Sequence, residues 1–141
     1  YQPEYFTENQ QLGQNPHHQL TPHMSAQVIL GHVTYGVELA KQYKLPDELV
    51  DFIQTHHGTT RVEYFFRSFE KANPELALEV EDDFRYKGPL PASKEQAILM
   101  LADSVEAAAR SLQKPTKQQL EDLVDRIVAH KVLTTSLYTP A

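Results

Sequence analysis

The amino-acid sequence predicts an all-α fold, a single bundle of about five to six helices. Apolar residues recur at the i, i+3, i+4, i+7 spacing of one helical face, whereas no alternating apolar strand of useful length occurs. Helix-start signals recur as well, at Thr21-Pro22, Ser93-x-x-Gln96 and Thr116-x-x-Gln119. The 141 residues, 40% of them hydrophobic, are enough for one domain with a substantial core.

The chain divides into an irregular lead-in over residues 1–22, a helical domain over 23–133 and a tail over 134–141 that we expect to fray. The lead-in lacks an apolar period and is interrupted by proline and glycine. Thr21 suits an N-cap followed by Pro22 at the first helical position. The inner face of this first helix is predicted to carry Val28, Ile29, His32, Val33, Gly36, Ala40 and Tyr43.

A second helix is predicted to start at Pro46 and to end before Gly58, a typical residue just past a helix C-terminus. Its inner face carries Leu49, Ile53 and His56. A third, aromatic-rich helix follows over 60–72 and stops at Asn73-Pro74.

Residues 74–92 are predicted to form a loop with one or two helical turns. Two capping boxes then predict helix starts. One helix is predicted from Ser93 to about Leu112, and the last helix begins after Thr116. The inner face of the last helix is predicted to carry Leu120, Leu123, Val124, Ile127 and Val128.

Composition excludes several function classes. Nineteen acidic against 13 basic residues give a net charge of −6, and the absence of a basic stripe argues against binding of a DNA or RNA duplex. No apolar run approaches the roughly 18 residues that cross a bilayer. The chain has no cysteine, which excludes a disulfide scaffold and a cysteine zinc site. Histidine, with 7 residues, is unusually frequent.

Three positions are candidates for chemistry: His32 on the apolar face of the first helix, the pair His56-His57 before Gly58, and Asp103 within the most apolar run of the chain. A buried carboxylate is costly unless a partner, a proton or a metal compensates it. Imidazole and carboxylate ligands from three helices suit Mn, Fe, Ni, Co or Zn. Such ions activate water for attack on a phosphoester.

Each of these residues also has an ordinary structural interpretation. A lone histidine on an apolar face is commonly a hydrogen-bonded core residue, and His56-His57 suits capping of a helix C-terminus. Arg110, seven residues after Asp103, is an alternative to a metal ion as the partner of the Asp103 carboxylate. The remaining histidines are expected on the surface or at a helix end: His17, His18, His23 and His130.

The joint pattern resembles a known family. The segments that carry the resemblance are Gly31-His32-Val33, His56-His57-Gly58-Thr59-Thr60 and the run from Leu101 to Ala108. They are similar to the HD-domain metal-dependent phosphohydrolases, and more narrowly to the cytoplasmic HD domain of the bacterial seven-transmembrane HD proteins. Further segments of that subfamily type are Tyr5-Phe6-Thr7-Glu8-Asn9-Gln10, Asn15-Pro16-His17, Asp83-Phe84-Arg85-Tyr86-Lys87-Gly88-Pro89 and Ser93-Lys94-Glu95.

The resemblance implies a two-metal centre, often of iron or manganese, that hydrolyses cyclic di-AMP to the linear dinucleotide pApA. By motif matching, His32, His56 and His57 would hold one metal and Asp103 would help to hold the other. The cations predicted to bind the phosphates are Arg61, Arg85 and Lys94.

The resemblance also implies a departure from the family pattern. The first histidine of the family and its adjacent His-Asp pair lie upstream of the motif that begins at Tyr5, close to where this sequence starts. We therefore expect an N-terminally truncated domain that binds at most one metal and has little or no activity by itself. The resemblance implies that the parent is a bacterial inner-membrane protein with this domain in the cytoplasm. The sequence is compatible with a homodimer of the domain.

Two other functions stay open at this point. One is a degenerate HD domain that senses a nucleotide or binds a partner without turnover. The other is hydrolysis of a different nucleotide, such as guanosine tetraphosphate or a nucleoside triphosphate.

Overall fold

The computed structural model describes residues 20–134, and within this range the predicted all-α fold is confirmed. There are six α-helices and one 3₁₀ turn, Glu81–Phe84, which follows the fourth helix directly. The helices are α1 Pro22–Gln42, α2 Asp47–Thr55, α3 Glu63–Ala72, α4 Ala77–Val80, α5 Lys94–Ala109 and α6 Lys117–Leu133. In this range the β pairing consists of one isolated bridge between Arg61 and Arg85.

The helix caps follow the sequence signals closely. The Thr21 hydroxyl accepts a hydrogen bond from the Met24 amide, and Pro22 occupies the first turn of α1. At α6, Thr116 and Gln119 form a complete capping box. Such caps stabilise a helix because they satisfy backbone amides that have no partner within the helix.

The predicted capping box at Ser93 forms only in part. Its hydroxyl accepts from the Gln96 amide, but the Gln96 side chain accepts from the Ala92 amide instead of the N-cap amide. The helix that starts here also ends earlier than predicted, at Ala109 rather than near Leu112.

α3 begins at Glu63, not at Thr60, because the preceding residues are paired elsewhere. The Val62 amide donates to the Phe84 carbonyl, and the Tyr86 amide donates to the Thr60 carbonyl. These bonds hold 60–62 in an extended conformation beside 84–86, which excludes a helix there.

The main core lies between α1, α3, α4 and the 3₁₀ turn. Its buried residues are Ala26, Phe66, Ala77 and Phe84. The Phe84 ring meets the Phe66 ring edge-on at 5.4 Å. The aromatic run of α3 therefore contributes to the core, although Tyr64 is exposed.

α1 and α2 approach each other closely at Gly36. A Cβ atom added there would lie 2.9 Å from Cγ2 of Ile53, so the absence of a side chain permits this contact. After the end of α2, Gly58 lies against Met100 of α5, which is fully buried.

Several inner-face predictions were wrong in detail. Leu49 is 48% exposed and Val50 is buried in its place; Tyr43 is also exposed. On α6, Leu123 is buried, whereas Leu120 and Val124 are exposed. Amphipathic spacing identifies a face but not the residues within it that a neighbouring helix covers.

The predicted boundaries at 22 and 133 stay predictions, since residues 1–19 and 135–141 lie outside the described part of the chain. Over residues 20–134, none of the helices combines the length and the apolar character needed to cross a membrane.

Candidate metal centre

The site is built where α1 passes the C-terminal end of α2. The Gly36–Ile53 contact fixes the distance between the two helices. His32 lies one helical turn before Gly36, and His56 follows three residues after Ile53. Because i and i+3 or i+4 residues share a helical face, this contact turns both imidazoles toward each other.

The three predicted histidines do come together. One ring nitrogen each from His32, His56 and His57 lies within 4.8 Å of the others. Nε2 of His32 is 3.2 Å from Nε2 of His56. All three side chains are half-buried, so the cluster is enclosed yet reachable.

Backbone carbonyls fix the tautomers of two of these rings. Nδ1 of His32 is 2.6 Å from the Ile29 carbonyl, and Nδ1 of His56 is 2.6 Å from the Ile53 carbonyl. A carbonyl only accepts, so each Nδ1 must donate its proton there. The neutral rings therefore direct two Nε2 lone pairs at each other across 3.2 Å.

Two facing lone pairs are unfavourable unless a cation lies between them. Zinc-type ions hold imidazole nitrogens at about 2.0–2.1 Å, which puts two tetrahedral ligands about 3.3 Å apart. The observed 3.2 Å separation between the Nε2 atoms matches this spacing. The donor set thus fits a divalent metal ion, and the Nδ1–carbonyl bonds are the orienting contacts that metal-bound histidines typically make.

Asp103 and Tyr86 complete the surroundings of His57. Oδ2 of Asp103 lies 3.6 Å from Nδ1 of His57. The Tyr86 ring stacks on the His57 ring at 4.4 Å and meets His32 edge-on at 5.8 Å. Asp103 is 38% exposed, so it lies at the open edge of the cluster and not in the apolar interior that its sequence context predicts.

Burial favours the neutral, metal-binding form of His32 and His57. Burial lowers the pKa of His32 below 6.5, and burial together with the neighbouring His56 and His32 lowers the pKa of His57 to about 2. Burial raises the pKa of the Asp103 carboxyl.

We expect the metal-free chain to lose stability as the pH falls from 7.0 to 5.5. The folded pKa of His57, about 2, lies below the ordinary value of 6.5, so the unfolded chain binds more protons in this window. Linkage then predicts a loss of about 1.2 kcal/mol in the free energy of unfolding from this residue. Urea unfolding at both pH values should show the loss, and His57→Gln should reduce it by about 1 kcal/mol. Equal losses in the two proteins would contradict the assignment.

Two of the three predicted phosphate-binding cations, Arg61 and Arg85, share an acidic partner. Nη1 of Arg61 and Nη2 of Arg85 both donate to Oε1 of Glu81, at 2.8 and 2.7 Å. Arg61 also donates to Glu63. Lys94 starts α5 nine residues before Asp103, about 13 Å along the helix. Their role in substrate binding stays a prediction.

A groove of about 660 Å³ runs along α1 beside residues 83–88. Tyr86, whose ring stacks on His57, is one of its lining residues. The four predicted metal ligands do not line the groove. His23 lies at its end, 3.1 Å from the Asp83 carboxylate, as a partly exposed residue. A volume of this size is typical of small-molecule sites.

Sequence reasoning missed Tyr86 and Lys131 as neighbours of the cluster. The positive charge of Lys131 acts on both His57 and Asp103. The sequence contains a signal that Lys131 lies on the inner face of α6, since it continues the four-residue spacing of Leu123 and Ile127.

Comparison with known proteins agrees with this geometry. The family model "HD domain" matches residues 8–108. Two curated relatives, both called cyclic-di-AMP phosphodiesterase PgpH, are 42% identical: one from Bacillus subtilis (strain 168) over 92% of this chain, one from Listeria monocytogenes serotype 1/2a (strain 10403S) over 93%. This chain spans 18% of the length of each relative.

A crystal structure of the L. monocytogenes PgpH HD domain in complex with cyclic di-AMP superimposes with a TM-score of 0.87 at 41% identity. The match covers 96% of this chain and 62% of that one. The family match, the shared fold and the imidazole cluster therefore lead to one conclusion: the chain belongs to the HD domain family.

Proposed function

We propose that this chain is the metal-dependent catalytic domain of a phosphodiesterase that hydrolyses cyclic di-AMP to pApA. The observation that carries the proposal is the pair of Nε2 atoms of His32 and His56, held 3.2 Å apart with their lone pairs facing. Similarity to two phosphodiesterases and to a structure in complex with cyclic di-AMP supports the substrate.

In this proposal His32, His56 and His57 hold one metal ion, and Asp103 contributes to a second. Iron or manganese suits such mixed imidazole and carboxylate sites. A divalent ion, when bound, supplies Lewis-acid activation of the phosphate and of the attacking water.

The residues of the chain orient the metal-binding imidazoles. The carbonyls of Ile29 and Ile53 accept from Nδ1 of the two imidazoles, so that each neutral ring presents its Nε2 lone pair to the metal site. The Asp103 carboxylate adds negative charge beside His57.

The groove beside α1 is large enough for a nucleotide and shares Tyr86 with the surroundings of the cluster. It is lined by apolar Leu30, Val33 and Val37 and by the cations Arg85 and Lys87. This combination suits a ligand with flat bases and negative phosphates.

The parent protein would be anchored in the inner membrane with this domain in the cytoplasm. These proposals rest on the resemblance to the seven-transmembrane HD proteins.

The test measures binding and turnover separately on the 141-residue chain loaded with Mn²⁺. Calorimetry should show binding of cyclic di-AMP that is lost on addition of EDTA, and chromatography should identify pApA as the product of whatever turnover occurs. Cyclic di-GMP is the matched control ligand. Formation of a product other than pApA would contradict the proposed reaction, and equal binding of both dinucleotides regardless of metal would refute the proposal.

A further inference from the structure

The ring of His57 lies flat against the ring of Tyr86. The two ring centroids are 4.4 Å apart, and the ring planes diverge by only 17°. The nearer carboxylate oxygen of Asp103 is 3.6 Å from Nδ1 of His57, which is longer than a hydrogen bond. The stack therefore restricts the plane of the imidazole, because a rotated His57 would push its edge into the tyrosine ring.

The tyrosine is itself held in place. Tyr86 is only 7% exposed, and its amide donates to the Thr60 carbonyl at 3.0 Å. The adjacent residue Arg85 forms the isolated β bridge with Arg61. Glu81 binds both arginines, at 2.8 Å from Nη1 of Arg61 and 2.7 Å from Nη2 of Arg85. Because main-chain and side-chain contacts both fix this segment, the Tyr86 ring can act as a rigid wall for the imidazole.

The same ring contacts two of the three clustered imidazoles. It meets His32 of α1 edge-on at 5.8 Å, and the His32 and His57 rings meet edge-on at 5.0 Å. The face of a tyrosine ring attracts positive charge within about 6 Å of its centroid. An imidazole that binds a divalent ion gains positive character, so the stack should become more favourable when His57 holds a metal.

We propose that Tyr86 is a positioning residue of the metal centre, and that its ring holds the His57 imidazole in the orientation that binds the ion. This inference rests on the metal centre of the proposed function. It assigns the role to the aromatic ring and not to the hydroxyl group.

The test compares Tyr86→Leu, which removes the ring, with Tyr86→Phe, which keeps it. Phe66→Leu is the matched control, because Phe66 is a buried aromatic residue of the main core that packs against Phe84. Each protein is titrated with Mn²⁺ by calorimetry and with Co²⁺, whose visible absorption spectrum reports the geometry of its ligands. Urea unfolding gives the stability of each metal-free chain.

Tyr86→Leu should bind Mn²⁺ about 10-fold more weakly, as expected on loss of a contact that orients a metal ligand. Its Co²⁺ spectrum should also change. Tyr86→Phe should stay within about threefold of the wild-type affinity and keep the wild-type spectrum, because the stack survives. Phe66→Leu should be less stable than the wild type, yet bind both ions normally.

Wild-type affinity and spectrum in Tyr86→Leu would overturn the inference. So would a phenylalanine variant as weak as the leucine variant, or equal weakening in Phe66→Leu. Tyr86→Met is a second variant without a ring, should the leucine protein not fold. Failure of both ringless variants to fold would make the role of the ring purely structural and would also overturn the inference. A wild type that binds neither ion would instead refute the metal centre of the proposed function, and this inference with it.

Discussion

Replacing His56 with alanine is expected to lower the affinity of the chain for Mn²⁺ by at least about 100-fold. Loss of a contact that merely orients a ligand typically costs 10- to 100-fold, and removal of a ligand should cost at least as much. His56 supplies one of the two facing Nε2 atoms, so its removal leaves His32 without the partner that spaces an ion correctly. Calorimetric titration with Mn²⁺ and elemental analysis after desalting measure the effect.

The matched control is His130→Ala, which removes an exposed histidine from α6 and should leave Mn²⁺ binding unchanged. We expect one ion per chain in the wild type. Retention of a full equivalent of Mn²⁺ by the His56→Ala protein, at wild-type affinity, would show that the three-histidine cluster is not the binding site.

Replacing Gly58 with alanine should destabilise the metal-free chain by about 2–4 kcal/mol, because two costs combine. Gly58 has φ of +54°, in the left-handed region that side chains rarely adopt. An added Cβ would also lie 2.7 Å from Cε of Met100, which is fully buried and must move. Urea unfolding followed by circular dichroism gives the difference in free energy.

Gly31→Ala is the matched control for this substitution. Gly31 lies inside α1, and a Cβ there would meet the Tyr35 ring at an ordinary 3.6 Å. Alanine should therefore stabilise the helix by up to about 1 kcal/mol. A Gly58→Ala protein as stable as the wild type would mean that the turn after His57 accepts a different backbone conformation.

The parts of this fold that were predictable from the sequence are those set by local chemistry. Thr21 and Thr116 cap their helices because a hydroxyl at that position satisfies free amides nearby in the chain. Gly58 was recognisable as a residue past a helix end, since its positive φ is a local requirement.

The parts that were not predictable depend on partners distant in sequence. The start of α3 is delayed by pairing of 60–62 with 84–86, more than 20 residues away. Val50 rather than Leu49 is buried because the position of α1, not the sequence of α2, decides which residue is covered.

In the candidate site, too, some residues were predictable from the sequence and others were not. His32, His56 and His57 were identified jointly by face, spacing and family resemblance, and the structure brings them within 4.8 Å. Lys131 was missed because its relation to the cluster exists only after α6 folds back along α5. The engagement of Arg61 and Arg85 by Glu81 likewise follows from tertiary contacts.

The Nδ1–carbonyl bonds of His32 and His56 have a consequence for how the centre can be lost. In many metal sites a separate carboxylate side chain aims the imidazole, and a point mutation can remove it. Here the aiming groups are main-chain carbonyls of the same helices, Ile29 and Ile53, which no side-chain substitution deletes. Unwinding the last turn of α2 would misdirect the His56 ring, so we expect fraying of that turn to weaken ion binding and a bound ion to oppose fraying. Protection of the amides around Thr55 against hydrogen exchange would therefore report occupancy of the centre.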